Sequence, residues 1–132
     1  MIRRVVGHRL AHVSLLPGMD SISLHLENNQ LESLDDGNFG DYLQDVRRMY
    51  LSNNKIEKFS HFIIPTGLEL LHLDHNKIEE IDKKDLRLLE SLIIRSNLTL
   101  RLSRNNLSCS CANKELYHFM INRGESVEGE FS

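Results

Sequence analysis

Four stretches of the chain repeat one pattern, and that repetition limits the fold more than any other feature. They are SISLHLENNQL (21–31), VRRMYLSNNKI (46–56), LELLHLDHNKI (68–78) and NLTLRLSRNNL (97–107). Each follows L-x-x-L-x-L-x-x-N-x-L, with other residues replacing some of the leucines. The asparagines Asn29, Asn54, Asn76 and Asn105 stand 25, 22 and 29 residues apart. A unit this short cannot bury its own apolar face, so the units must stack. Within each unit the apolar residues alternate, which is the period of a strand. Leu24 and Leu26 share one face with His25 on the other. The same holds for Met49 and Leu51 around Tyr50, Leu71 and Leu73 around His72, and Leu100 and Leu102 around Arg101. One short strand per unit, stacked in parallel, is predicted. The recurring asparagine falls where the chain leaves the strand. There its amide is expected to bond backbone groups of its own and the adjoining turn, because an unpaired buried polar group costs about 1–3 kcal/mol.

The signature resembles the leucine-rich repeat, and leucine is the one skew in the composition, with 22 of 132 residues. The resemblance implies an α/β leucine-rich repeat solenoid. A short curved parallel sheet would line its concave side, with irregular or helical segments on the convex side and a partial helical cap at the C-terminal end. Leu31, Leu34, Phe39 and Leu43, then Ile56 and Phe59, then Ile78, Ile81, Leu86 and Leu89 are the candidate convex core. Asp85–Ile94 is a candidate convex helix, and the long spacing before Asn105 marks the third unit as irregular. The chain divides into a degenerate or truncated N-terminal flank (1–20), four repeats (21–108) and an incomplete C-terminal flanking cap (109–132).

A stacked array exposes apolar ends unless they are capped. The segment NNLSCSCANKELYHFMINRG (105–124) has Leu116, Phe119 and Met120 at helical spacing after Asn113, a candidate N-cap. It resembles the C-terminal flanking cap of extracellular leucine-rich repeat proteins, which opens N-P-x-x-C-x-C. Asn105, Cys109 and Cys111 match, and Asn106 stands in place of the usual proline. Cys109 and Cys111 are poor partners for each other. Residues two apart in a strand lie about 6.6 Å apart, near the disulfide limit, and the ring would be strained. The cap resemblance pairs each with a cysteine outside this chain. Two unpaired thiols, or half a zinc site with His118 as a weak third ligand, are the alternatives.

The array from GHRLAHVSLLPGMDSISLHLENNQLESL (7–34) to SNLTLRLSRNNLSCSCANKELYHF (96–119) resembles the membrane-proximal repeat block of insect-type Toll receptors. Leu10, Val13 and Leu16-Pro17 match the end of that family's N-terminal flank, without its cysteines. The resemblance covers about residues 7–128. It implies a fragment, truncated gene model or degenerate copy of a single-pass cell-surface receptor, acting in innate immune or developmental signalling. The family's partner is a cystine-knot cytokine of the Spätzle type, and a receptor dimer partner is the other candidate. Asn97-Leu98-Thr99 and Asn106-Leu107-Ser108 are glycosylation sequons. Asn97 opens the fourth window at a position that is normally buried. Either the register loosens there or Asn97 is unmodified, and Asn106 is the better candidate.

The outward strand residues form columns on the expected concave face, a common binding surface in solenoids. His25, Tyr50, His72 and Arg101 make the central column. Glu27, Ser52, Asp74 and Ser103 flank it, followed by Asn28, Asn53, His75 and Arg104. Arg47, Arg48 and Glu69 lie on the approaching side. Tyr50 and Arg101 lead as anchors, because Tyr and Arg dominate interface energetics. His72, Asp74 and His75 together could suggest a metal, but only His72 and Asp74 project on one strand face and no third ligand of matching geometry is evident, so no metal is expected. No cofactor is expected either, and no G-x-S-x-G, H-E-x-x-H or phosphate-cradling glycine loop points to an enzyme. A net charge of −3 gives no basic excess for nucleic acid or an anionic membrane. Gly7, His8, Arg9 and His12 interrupt any signal-peptide core. The longest apolar run, Leu86 to Ile94, contains Arg87, Glu90 and Ser91, so neither a signal peptide nor a spanning helix is expected. The reading is a protein-binding receptor-ectodomain module. Its rivals are an intracellular leucine-rich repeat scaffold or adaptor and a truncated, non-functional product.

Overall fold

The computed structural model describes residues 12–15, 22–32, 45–58 and 64–130. The apolar alternation becomes a row of short strands: β2 (Ile22–His25), β3 (Val46–Tyr50), β4 (Leu70–His72) and β5 (Thr99–Arg101). These pair in parallel, in chain order. Two more strands extend the sheet. β1 (His12–Leu15) pairs antiparallel with β2, placing His12 opposite His25. β6 (Val127–Glu128) adds a fifth parallel strand beside β5. The repeat pattern encodes neither end strand, because both lie outside the four windows.

The inward residues make the core. Leu24, Met49, Leu71 and Leu100 fall in one register line, continued by Val127 on β6. The first four are fully buried, as are Leu26, Leu51 and Leu102, with Leu73 at 1% exposure. Burying one such side chain is worth about 1.5–3 kcal/mol. On the opposite side Leu31, Ile56, Ile78, Ile81, Leu86 and Leu89 are buried against this row. The other candidates, Leu34, Phe39, Leu43 and Phe59, lie outside the described residues.

The asparagine amides bond the turns together in a regular way. Asn54 Oδ1 accepts from Leu31 N, Asn76 Oδ1 from Ile56 N and Asn105 Oδ1 from Ile78 N, at 3.0–3.1 Å. Each Nδ2 donates both to a carbonyl of its own unit and to one of the unit before. Asn76 reaches Leu73 O and Leu51 O at 3.0 Å each. Asn54 bonds Leu51 O and Leu26 O, and Asn105 bonds Leu102 O and Leu73 O. Each shared carbonyl therefore has two amide donors. Asn29 stands at the start of this series. It donates to Leu26 O and Glu27 O, but its buried Oδ1 has no hydrogen-bond partner.

A 14-residue helix explains the longest repeat spacing. α1 (Lys83–Ser96) starts at Asp82, whose carboxylate accepts from Asp85 N at 3.0 Å, and buries Leu86, Leu89, Leu92 and Ile93. It extends two residues beyond each end of the predicted Asp85–Ile94, because Asp82 caps it and Asn97 closes it. Asn97 takes a left-handed conformation at φ 55°. This corrects the fourth window: Asn97 is exposed, and Leu98 takes the buried position. The helix cap shifts the register by one residue.

The C-terminal segment folds over the end of the stack. A 3-10 turn at Cys111–Asn113 leads into α2 (Lys114–Asn122), which buries Leu116 and Phe119, with Met120 partly buried against the core. Asn113 precedes this helix but does not cap it with its side chain. It is 1% exposed and acts as a further amide link. Its Oδ1 accepts from Ile81 N at 3.3 Å, and its Nδ2 donates to Glu79 O and Ser108 O at 2.6 and 2.7 Å. The amide satisfies backbone groups that the irregular third unit would otherwise bury unpaired, which outweighs a cap bond at an exposed helix start.

Candidate functional site

The outward face of the sheet presents three rows of side chains. Backbone register puts His25, Tyr50, His72, Arg101 and Glu128 in a single line. His25 and Tyr50 stack nearly parallel, with ring centroids 4.5 Å apart and 4° between planes. The Tyr50 and His72 rings meet edge-on at 5.0 Å and 86°. The rings fit together because neighbouring parallel strands lie about 4.8 Å apart, close to a stacking distance. Partial burial lowers the pKa of His72, and the neighbouring Arg101 guanidinium adds to the effect. Asp74, Glu128 and Glu27 oppose it more weakly. Both effects favour the neutral imidazole of His72.

The second row lies two residues past the end of each strand: Glu27, Ser52, Asp74 and Ser103. Its hydroxyls orient carboxylates. Ser52 Oγ donates to Asp74 Oδ1 at 2.8 Å, and Ser103 Oγ to Glu128 Oε1 at 3.1 Å. Glu27 Oε2 lies 3.4 Å from His25 Nδ1. Glu130 continues the row, accepting from Arg104 N at 2.7 Å. Glu128 and Glu130 belong to the face although the sequence reading missed them. β6, which holds Glu128 and ends two residues before Glu130, is two residues long, too short for alternation to reveal.

The third row lies at the strand starts and contains Ser23, Arg48, Leu70 and Thr99. A register shift between Ile22 and Ser23 leaves Arg47 as an extra residue on β3. Arg47 and Arg48 are consequently both half-exposed rather than alternately in and out. The guanidinium of Arg47 lies over Gly67, where even a Cβ would collide with it. Asn28, Asn53, His75 and Arg104 do not form the strand column read from the sequence. All four adopt φ of 57–62° in the turn before the amide series. Asn tolerates this left-handed backbone well, and His75 and Arg104 hold it at some cost. Their backbone N–H groups link the turns: Asn28 N donates to Ser52 O, Asn53 N to Asp74 O and His75 N to Ser103 O.

Cys109 and Cys111 are both exposed and not bonded to each other. They line a cleft of about 320 Å³ with Ser108, Lys114 and Tyr117. Asn97 and Asn106 are exposed, each followed by a buried leucine. His118 is exposed on α2, where its ring meets Tyr117 edge-on at 5.8 Å. Among the described residues no three His, Cys, Asp or Glu side chains gather as a metal site. No described helix is long and apolar enough to cross a membrane.

Comparison with known proteins agrees with this architecture. The leucine rich repeat family model matches residues 23–78. Protein toll of Drosophila melanogaster is 29% identical over 122 residues, which covers 89% of this chain. The match spans 11% of the length of that relative.

Proposed function

We propose that this leucine-rich repeat protein, similar over most of its length to part of a Toll receptor, is a protein-binding module of a Toll-like cell-surface receptor ectodomain. It acts in ligand recognition or receptor dimerisation for innate immune or developmental signalling, and it binds rather than catalyses. The observation that carries this reading is the ordered outward row of His25, Tyr50 and His72, ending in Arg101. Rings held against one another lose little conformational entropy on contact, and Tyr and Arg are the side chains that anchor interfaces. Arg47, Arg48, Asp74, His75 and Arg104 surround that row as secondary contacts. The partner is a cystine-knot cytokine of the Spätzle type or a second receptor chain. Cys109 and Cys111 form disulfides with cysteines outside this chain, and Asn106 and Asn97 carry glycans. Both exposed thiols and both exposed asparagines are accessible for this.

Biolayer interferometry of the secreted chain against a Spätzle-type cytokine, with sedimentation velocity for self-association, tests the reading. Tyr50→Ala and Arg101→Ala should each weaken the interaction about tenfold or more, while Arg87→Ala on α1 leaves it unchanged. Binding that survives both outward substitutions but is lost with Arg87→Ala would move the contact to the helical side. Absence of both interactions in the wild-type chain would refute the reading.

A further inference from the structure

β3 presents two adjacent arginines on the same side of the sheet. Val46 and Met49 are buried, while Arg47 and Arg48 between them are both half-exposed. The register shift at Arg47 allows this, because in a regular strand one of two neighbours would point into the core. Arg47 is also seated. Its guanidinium lies over Gly67, in the space that a Cβ there would fill. A side chain already resting on backbone loses less freedom when a partner meets it. Neither guanidinium is neutralised within the described residues. Their ion pairs join His25 to Glu27, Lys83 to Glu115 and Arg123 to Glu90. Glu69, on the approach to β4, bonds Arg47 only through its backbone N–H, at 2.7 Å. Two half-buried guanidiniums have shed part of their water, so a carboxylate meets them at a lower desolvation cost than fully exposed ones. The other arginines of the face, Arg101 and Arg104, are exposed. Arg101 has Glu128 next to it in register, and Arg104 has Glu130 on its backbone N–H.

Apolar surface adjoins the pair. Leu70 stands opposite Arg48 on β4 and is half-exposed, and Tyr50 follows two residues along β3. We propose that Arg47 and Arg48 receive an acidic segment of a protein partner, in which carboxylates stand beside an apolar side chain. The guanidinium forks bind the carboxylates, which match them geometrically, and Leu70 and Tyr50 take the apolar residue. Glu69 beside the pair, and Glu27 and Asp74 further along the face, disfavour a densely sulfated or phosphorylated polymer, whose charges would also come against them. The proposal rests on the outward face being the binding face, and it names the chemistry that this face selects.

A fluorescent peptide of repeating Glu-Glu-Leu, titrated with the full chain at neutral pH and low ionic strength and followed by polarisation, is the probe. Repeating Gln-Gln-Leu and repeating Glu-Glu-Gly are its comparisons. It should bind about threefold or more tightly than either, since each comparison lacks one of the two kinds of contact. Arg48→Gln should weaken it about two- to fivefold, the worth of one exposed ion pair. Gly67→Ala keeps every charge but pushes the Arg47 guanidinium off its seat, and should weaken the peptide by a similar factor. Arg87→Gln, which removes an exposed charge on α1, should change nothing, and circular dichroism should show all three variants folded. Equal binding of either comparison peptide, or unchanged binding in Arg48→Gln, would overturn the proposal. Unchanged binding in Gly67→Ala would mean that net charge rather than a seated guanidinium is recognised, and would overturn it too. So would a heparin fragment that binds more tightly than the peptide and loses that advantage in Arg48→Gln, or no binding of any peptide. The cytokine and self-association measurements judge the broader binding role separately, and they can succeed where this peptide fails.

Discussion

Replacing Asn76 with alanine should destabilise the fold far more than replacing Asn29, although both occupy the same position of the repeat. Asn76 is 7% exposed and bonds three buried backbone groups. Its loss leaves Ile56 N with no acceptor, at about 1–3 kcal/mol. The two carbonyls fare better, since Leu51 O keeps Asn54 and Leu73 O keeps Asn105. Each loses one of two donors, at about 0.5–1.5 kcal/mol per bond. The total is about 2–6 kcal/mol, a large share of the roughly 5–15 kcal/mol that holds a domain together. Asn29 accepts from nothing, and Leu26 O keeps its bond from Asn54. Its removal should therefore cost about 1–2 kcal/mol. Urea unfolding followed by far-ultraviolet circular dichroism gives both values, with the slope unchanged if only stability moves. Equal costs at the two positions, or less than about 1 kcal/mol for Asn76→Ala, would refute the reasoning.

Three further outcomes follow from the same structure. Leu73→Ala opens a cavity in the buried row and should cost about 2–5 kcal/mol in the same denaturation assay. Asp82→Ala removes the side-chain cap of α1 and should lower stability by about 0.5–2 kcal/mol, with the loss of protection confined to the first turn in amide exchange. Folding depresses the pKa of His72, so the unfolded chain takes up more protons as the pH falls. Its contribution is intact above the ordinary imidazole value of 6.5 and is lost as pH drops from there through the lowered folded value. His72→Gln should flatten that part of the stability–pH curve, and an unchanged curve would contradict the assignment.

The regular part of this molecule was legible because its physics is local. Alternation around His25, Tyr50, His72 and Arg101 fixes which side chains face out, and parallel stacking then brings them into line. Leu31, Ile56, Ile78 and Ile81 could be placed in the core for the same reason. What escaped depends on contacts between distant segments. The amide of Asn113 joins Ile81, Glu79 and Ser108, a constellation that exists only once the irregular third unit has folded. β6 is two residues long and draws its hydrogen bonds from β5, so Glu128 and Glu130 carried no periodic signal. The one-residue slip at Asn97 arises where a helix cap meets a strand. The column of Asn28, Asn53, His75 and Arg104 proved to be a left-handed turn, because regular spacing in sequence does not distinguish a strand position from a repeated bend. The ring geometry of the outward face is equally a product of stacking, and spacing alone gave only its membership.

Native-state amide exchange at Leu31, Ile56 and Ile78 tests the stacking of units through asparagine amides most directly. These three N–H groups have the side-chain oxygens of Asn54, Asn76 and Asn105 as acceptors. They should exchange as slowly as the amides of Leu51 and Leu73, which bond His72 O and Arg101 O between neighbouring units. Exchange of all three at the rate of an unstructured peptide, while Leu51 and Leu73 stay protected, would contradict the account.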